Sequence, residues 1–83
     1  MKTIIENSTK LSKYLLTDSN TVTMLTESIA VGDPIRFFID DLNNSNATLY
    51  TNINNAPEDW IGNKYTYHDS TWTVDSDWVN PEE

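Results

Sequence analysis

The chain has 83 residues, 13 acidic and 5 basic, for a net charge of -8, and it contains no cysteine. That length allows one domain burying only about 60% of the surface its unfolded form exposes, and the missing thiols exclude disulfide staples, thiolate zinc sites and cysteine nucleophiles. The acidic balance argues against direct binding to nucleic acid or to an anionic membrane, since both select clustered Lys and Arg.

No apolar run reaches membrane-spanning length, and the opening MKTIIENSTK lacks the apolar segment of a signal peptide. The expectation is a soluble protein not exported by a cleavable signal. In chain order, Thr3–Glu6 is a short β-favouring run and Lys13–Leu16 a second, followed by the turn-rich Thr17-Asp18-Ser19-Asn20. TVTMLTESIAV (Thr21–Val31) folds back on itself with Val22 opposite Val31, Thr23 opposite Ala30 and Met24 opposite Ile29, one face apolar and the other polar. The N-terminal half reads as a meander.

The middle, GDPIRFFIDDLNNSN, has two readings. Ile35, Phe38, Ile39 and Leu42 fall at helical spacing, with Asp33 as N-cap and Pro34 at the first helical position, so a short helix over 34–42 is one of them. Against it, Asp40 and Asp41 would sit in the last turn, where the helix dipole disfavours negative charge, and Arg36–Ile39 is good strand material. The balance tips to strand. ATLYTNI follows as another strand, Pro57-Glu58-Asp59-Trp60 as a turn whose Trp caps an edge of the core, and Gly62-Asn63 as the lead into the last hairpin.

That hairpin, KYTYHDSTWTV (Lys64–Val74), has one register in which every cross-strand pair is favourable: Tyr67 with Trp72, Thr66 with Thr73, Tyr65 with Val74, and Lys64 with Asp75. Its turn is either the two residues Asp69-Ser70 or the four-residue loop His68–Thr71 in the same register. The tail over 79–83 is expected to fray. The predicted fold is therefore all-β, a small single domain over 1–83 built as an antiparallel meander or sandwich, with 34–42 the one place for a short helix. Its expected core is Val22, Met24, Ile29, Val31, Phe38, Leu49, Tyr67, Trp72 and Val74.

Catalytic chemistry finds little purchase. The single histidine, His68, lies in the predicted turn beside Asp69 and Ser70, but neighbouring residues in a strand point to opposite faces, so they do not form a nucleophile, base and orienting acid. Asp40-Asp41-Leu42-Asn43-Asn44-Ser45-Asn46 and Asp75-Ser76-Asp77 offer oxygen ligands. The first departs from the EF-hand pattern, with Asn46 where glycine is needed and Asn52 where the bidentate glutamate belongs. Paired carboxylates for glycoside hydrolysis need a cleft from a larger scaffold, and two glycines make no phosphate-binding loop. The sequence implies no cofactor, no metal and no enzyme.

The aromatic residues Trp60, Tyr65, Tyr67, Trp72 and Trp78 crowd into the last part of the chain. Tyr67 and Trp72 are assigned to the core, because a small β-domain with few Leu and Val must fill its interior with something. Trp60, Trp78 and Tyr65, at its margins, are the candidate partner contacts.

Three stretches carry a family resemblance: IIENSTKLSKY (Ile4–Tyr14), VGDP with DLNNSNATLY (Val31–Tyr50), and APEDWIGNKYTY with STWTV (Ala56–Val74). Over nearly the whole chain they resemble short proteins encoded by tailed phages of marine cyanobacteria. Members carry Tyr-Asp-Gly before the last Trp, so His68-Asp69-Ser70 departs from the pattern, which bears on the turn type alone. The resemblance implies a virion structural protein, on the capsid or the tail, docked in many copies to other phage structural proteins. It carries no catalytic residue with it. Two rival expectations are a glycan-binding module stacking sugars on Trp60, Trp72 or Trp78, and an acidic inhibitor that mimics DNA.

Overall fold

Thr3, Ile4 and Ile5 are consecutive and all buried, which a strand achieves only when both of its faces are covered, because successive side chains point to opposite sides. The structure, a computed structural model, describes residues 1–79 and places this strand in the middle layer of three. The expected fraying over 79–83 falls, beyond Val79, outside the described residues. Eight strands run β1 (Lys2–Glu6), β2 (Ser12–Leu16), β3 (Val22–Met24), β4 (Ile29–Gly32), β5 (Ile35–Ile39), β6 (Ala47–Tyr50), β7 (Tyr65–His68) and β8 (Thr71–Val74). They form two three-stranded antiparallel sheets, β2-β1-β6 and β3-β4-β5, and the hairpin β7-β8.

Ile4 points to one side of the middle sheet, beside its cross-strand neighbours Tyr14 and Leu49, and meets Ile29, Val31 and Ile39 of the β3-β4-β5 sheet together with Leu42 and Ala47. Ile5 points the other way, against Ile53 and Tyr67, with Ala56 and Trp72 packed on them. An aliphatic core thus lies between two sheets, and a smaller, partly aromatic one lies under the hairpin. The hairpin joins the middle sheet beside β2, where Tyr67 N–H donates to Lys10 C=O at 3.0 Å and Asn63 N–H to Ser12 C=O at 3.0 Å.

The all-β class and both hairpin registers agree with the sequence. β3 and β4 pair Val22 with Val31, Thr23 with Ala30 and Met24 with Ile29. β7 and β8 pair Tyr65 with Val74, Thr66 with Thr73 and Tyr67 with Trp72, while Asp75 N–H donates to Lys64 C=O at 2.8 Å. His68 also pairs with Thr71, so the turn is the two-residue form, with Asp69 (φ 49) and Ser70 (φ 63) both left-handed as a type I′ turn requires.

Residues 35–39 are strand, the reading the sequence favoured, and the alternative helix over 34–42 does not form: Asp33-Pro34 is the turn between β4 and β5. Elsewhere the structure corrects the reading. The N-terminal half is not one meander, because β1-β2 and β3-β4-β5 belong to different sheets and β6 returns to lie beside β1. Phe38, expected in the core, is 53% exposed, and Val74 is 49% exposed. Phe38 pairs with Ala30 and so shares its outward face, whereas the flanking pairs Val31 with Phe37 and Ile29 with Ile39 face the sandwich. Val74 stands at the open end of a two-stranded ribbon, where no described residue buries it. Ile29, Val31 and Tyr67 are buried as expected, and Val22, Met24, Leu49 and Trp72 are half-buried around the cores.

Candidate functional site

Exposed large apolar side chains concentrate on β5. Ile35 is 54%, Phe37 43% and Phe38 53% exposed, and only Ile39 of this strand is buried. β5 is also an edge, paired with β4 on one side and with no described strand on the other.

The ladder dictates which of its backbone groups are open. Gly32 N–H donates to Thr21 C=O at 2.8 Å and Leu25 N–H to Ser28 C=O at 2.9 Å, which marks Ala30 between them as the β4 residue bonded to β3. By alternation Ile29 and Val31 turn their polar groups to β5, where their partners are Ile39 and Phe37. Phe38 therefore aims its own N–H and C=O away from the sheet. Arg36 and Asp40 flank it, both exposed, and neither has an ion-pair partner among the described residues. A bulge between Val31 and Gly32 leaves Arg36 as the extra residue of β5. An open edge with apolar side chains on both faces is a template for another strand.

The aromatic residues expected to make contacts are engaged within the chain. Trp60 is half-buried, and its indole N–H donates to Ser12 Oγ at 2.9 Å; that hydroxyl is fully buried and shares a 2.7 Å hydrogen bond with Thr3 Oγ1. Trp72 donates its indole N–H to Asn55 Oδ1 at 3.2 Å and packs on Tyr67 with ring centroids 4.7 Å apart. Tyr67 in turn meets Tyr50 edge-on at 5.2 Å. Trp78 is half-buried beside a turn closed by its own N–H donating to Asp75 C=O at 3.0 Å. The rings of Trp60, Tyr67 and Trp72 secure the hairpin layer and the loop that leads to it.

Tyr65 belongs to a polar cluster. Its hydroxyl donates to Asp59 Oδ1 at 2.6 Å, and Lys64 Nζ donates to Asp59 Oδ2 at 2.8 Å. The Lys64 bond first, then that from Tyr65, holds the Asp59 carboxyl below its ordinary range, and the bonds to Asp59 raise both Lys64 and Tyr65. With Asp59 so exposed the cluster orients the loop against the hairpin.

His68 Nε2 lies 3.3 Å from Asp69 Oδ2, with both side chains largely in solvent. The Asp40–Asn46 loop closes on itself: Asn43 Oδ1 accepts from the N–H groups of Ser45 and Asn46, and Asn46 Oδ1 accepts from Asn43 N–H. Among the described residues no group of three or more His, Asp or Glu side chains could hold a metal ion, and no helix is long and apolar enough to cross a membrane. A shallow open depression lined by Met24, Leu25, Thr26, Glu27, Ser28 and Asn44 lies at the β3-β4 turn, without a titratable cluster. Comparison of the chain with protein-family models, with curated proteins and with solved structures finds no match.

Ile35, Arg36, Phe37 and Asp40 were not among the partner contacts expected from the sequence. The signal was there in the adjacent apolar residues Phe37-Phe38 after an Asp-Pro turn: in a strand one of the two must face away from whatever the other packs against. Helical spacing, which placed Phe38 with Ile35, Ile39 and Leu42, obscured it.

Proposed function

We propose that this protein is a non-enzymatic assembly component that docks through the open edge of β5, and that it serves as a structural part of a tailed-phage particle, on the capsid or the tail. The docking reading rests on one observation: a free strand edge carrying Ile35, Phe37 and Phe38 in solvent. Small soluble monomers avoid such edges, since they recruit other strands, and a covered edge would add stability to a domain with a thin core. The particle assignment rests on the sequence resemblance, with which a small, cysteine-free, many-copy β-domain is compatible.

Quantitative mass spectrometry of purified particles tests it. A copy number comparable with that of the major capsid protein assigns the chain to the head, and a small fraction of it assigns the chain to the tail. Absence from particles overturns the virion role.

A further inference from the structure

We infer that β5 pairs antiparallel with β5 of a second copy of this chain, about a two-fold axis at Phe38, so that Arg36 of each copy faces Asp40 of the other. This rests on the edge-docking reading above and names the partner.

The register follows from three constraints. Antiparallel pairing joins residues whose N–H and C=O both point outward, so Phe38 must meet an outward-facing residue of the other copy. This removes every register offset by one. An axis at Arg36 would set Phe38 opposite Pro34, which has no N–H to give. An axis at Phe37 would set Asp33 against Asp41 and leave Arg36 and Asp40 without an opposite charge, facing Phe38 and Pro34. An axis at Ile39 would set Phe38 opposite Asp40 and Arg36 opposite the buried Leu42.

An axis at Phe38 has none of these faults. The two Phe38 residues exchange both backbone hydrogen bonds, Phe37 lies opposite Ile39, and Arg36 lies opposite Asp40 twice by symmetry. Arg36 and Asp40 are the charged groups within and at the end of the strand, both are exposed, and both lack an ion-pair partner among the described residues. An edge meant for a different partner has no need of charges that complement each other at this spacing. The pairing is isologous and closed: it joins two three-stranded sheets into one six-stranded sheet and leaves no β5 edge for further growth.

Sedimentation velocity on the full chain over a range of concentrations tests this. The wild type is expected to dimerise, and Arg36→Asp or Asp40→Arg alone to weaken self-association about ten-fold or more, since each sets two like-charge pairs across the ladder. An equimolar mixture of the two variants is expected to restore a dimer of wild-type strength, because in the mixed pair every charge again meets its opposite. Circular dichroism of each variant checks that the fold is kept. A wild type that stays monomeric at millimolar concentration, or a dimer indifferent to both substitutions, overturns the self-pairing. Phe38→Pro, which removes the outward N–H without touching the β4 ladder, separates this from the wider reading. If the wild type is monomeric but Phe38→Pro abolishes binding to purified particles, the edge docks another protein and only the self-pairing fails; if binding survives, edge docking fails as well.

Discussion

β4 and β5 are neighbours in one sheet, both apolar, and they meet opposite fates. Ile29 and Val31 are sealed between the two sheets and Ala30, on the opposite face, is buried too, while four of the five residues of β5 stand in solvent. Composition does not separate them, since IAVG and IRFFI are both mainly apolar and IRFFI carries the larger rings. Position does: a central strand has neighbours on both sides, whereas an edge strand whose outer face nothing covers keeps only one inward row buried. Apolar residues at such an edge therefore inform on assembly more than on folding.

The sharpest way to break the comparison is to truncate one residue on each strand. Ile29→Ala is expected to cost about 2–5 kcal/mol of stability, the range for a large aliphatic side chain removed from a closed core. Phe38→Ala is expected to change stability by less than about 0.5 kcal/mol, as for surface positions free of special features. Urea unfolding followed by tryptophan fluorescence reads both, and equal losses would show that Phe38 is covered in the folded monomer.

Ser12 asks whether depth of burial or apolar character governs the cost, because it is as fully buried as Ile29. Ser12→Ala removes the acceptor of the Trp60 indole N–H and one partner of Thr3, and is expected to cost about 1–3 kcal/mol, the penalty of an unsatisfied buried donor. The same unfolding experiment with a blue shift or quench of the Trp60 emission would check it.

Gly32 sits at the junction of the two strands. Its φ of 107 is one that side chains rarely adopt, and a Cβ there would lie 2.8 Å from Pro34 O and 2.9 Å from Arg36 N. Gly32→Ala is expected to cost about 1–3 kcal/mol through backbone strain and to loosen the pairing of β5 on β4. Amide hydrogen exchange should show the loss of protection at Phe37 and Ile39, and unchanged protection there would refute the loosening.

The smallest effect belongs to the exposed cluster at Asp59. Its carboxyl is held below its ordinary value of 3.8 in the folded protein, so its contribution is present above that value and is lost as the pH falls through the folded pKa. Lys64 and Tyr65 titrate above 10.5 and 10.0, so theirs is present below those values and is lost as the pH rises through the folded pKa values. Asp59→Asn is expected to bring the Tyr65 phenol back down, read as tyrosinate absorbance against pH. An unmoved phenol would mean that the hydrogen bond at 2.6 Å does not persist in solution.

What was legible was local. Val22 with Val31 and Tyr67 with Trp72 could be matched because a tight hairpin offers few registers, and side-chain alternation makes one register collect all the favourable pairs. Non-local placements were not. Ile4 and Ile5 became the pivot of two cores because β6 and the hairpin arrive from distant parts of the chain. Trp60, read as a margin residue free for contacts, is held by Ser12, 48 positions away in sequence. The candidate site was legible only as a kind, an exposed edge or apolar face, because which strand lies at the edge is a property of sheet order.

The sequence by itself determined the all-β class, two hairpin registers and the acidic, cysteine-free surface, since each depends on alternation between near neighbours or on composition alone. The tertiary structure decided which strand lies between two cores and which is left at an edge, and so assigned Phe38 to solvent, Ile5 to the interior and Trp60 to a buried hydroxyl. The reason is that burial depends on what covers a face, and the covering elements here come from parts of the chain too far apart for any local pattern to record.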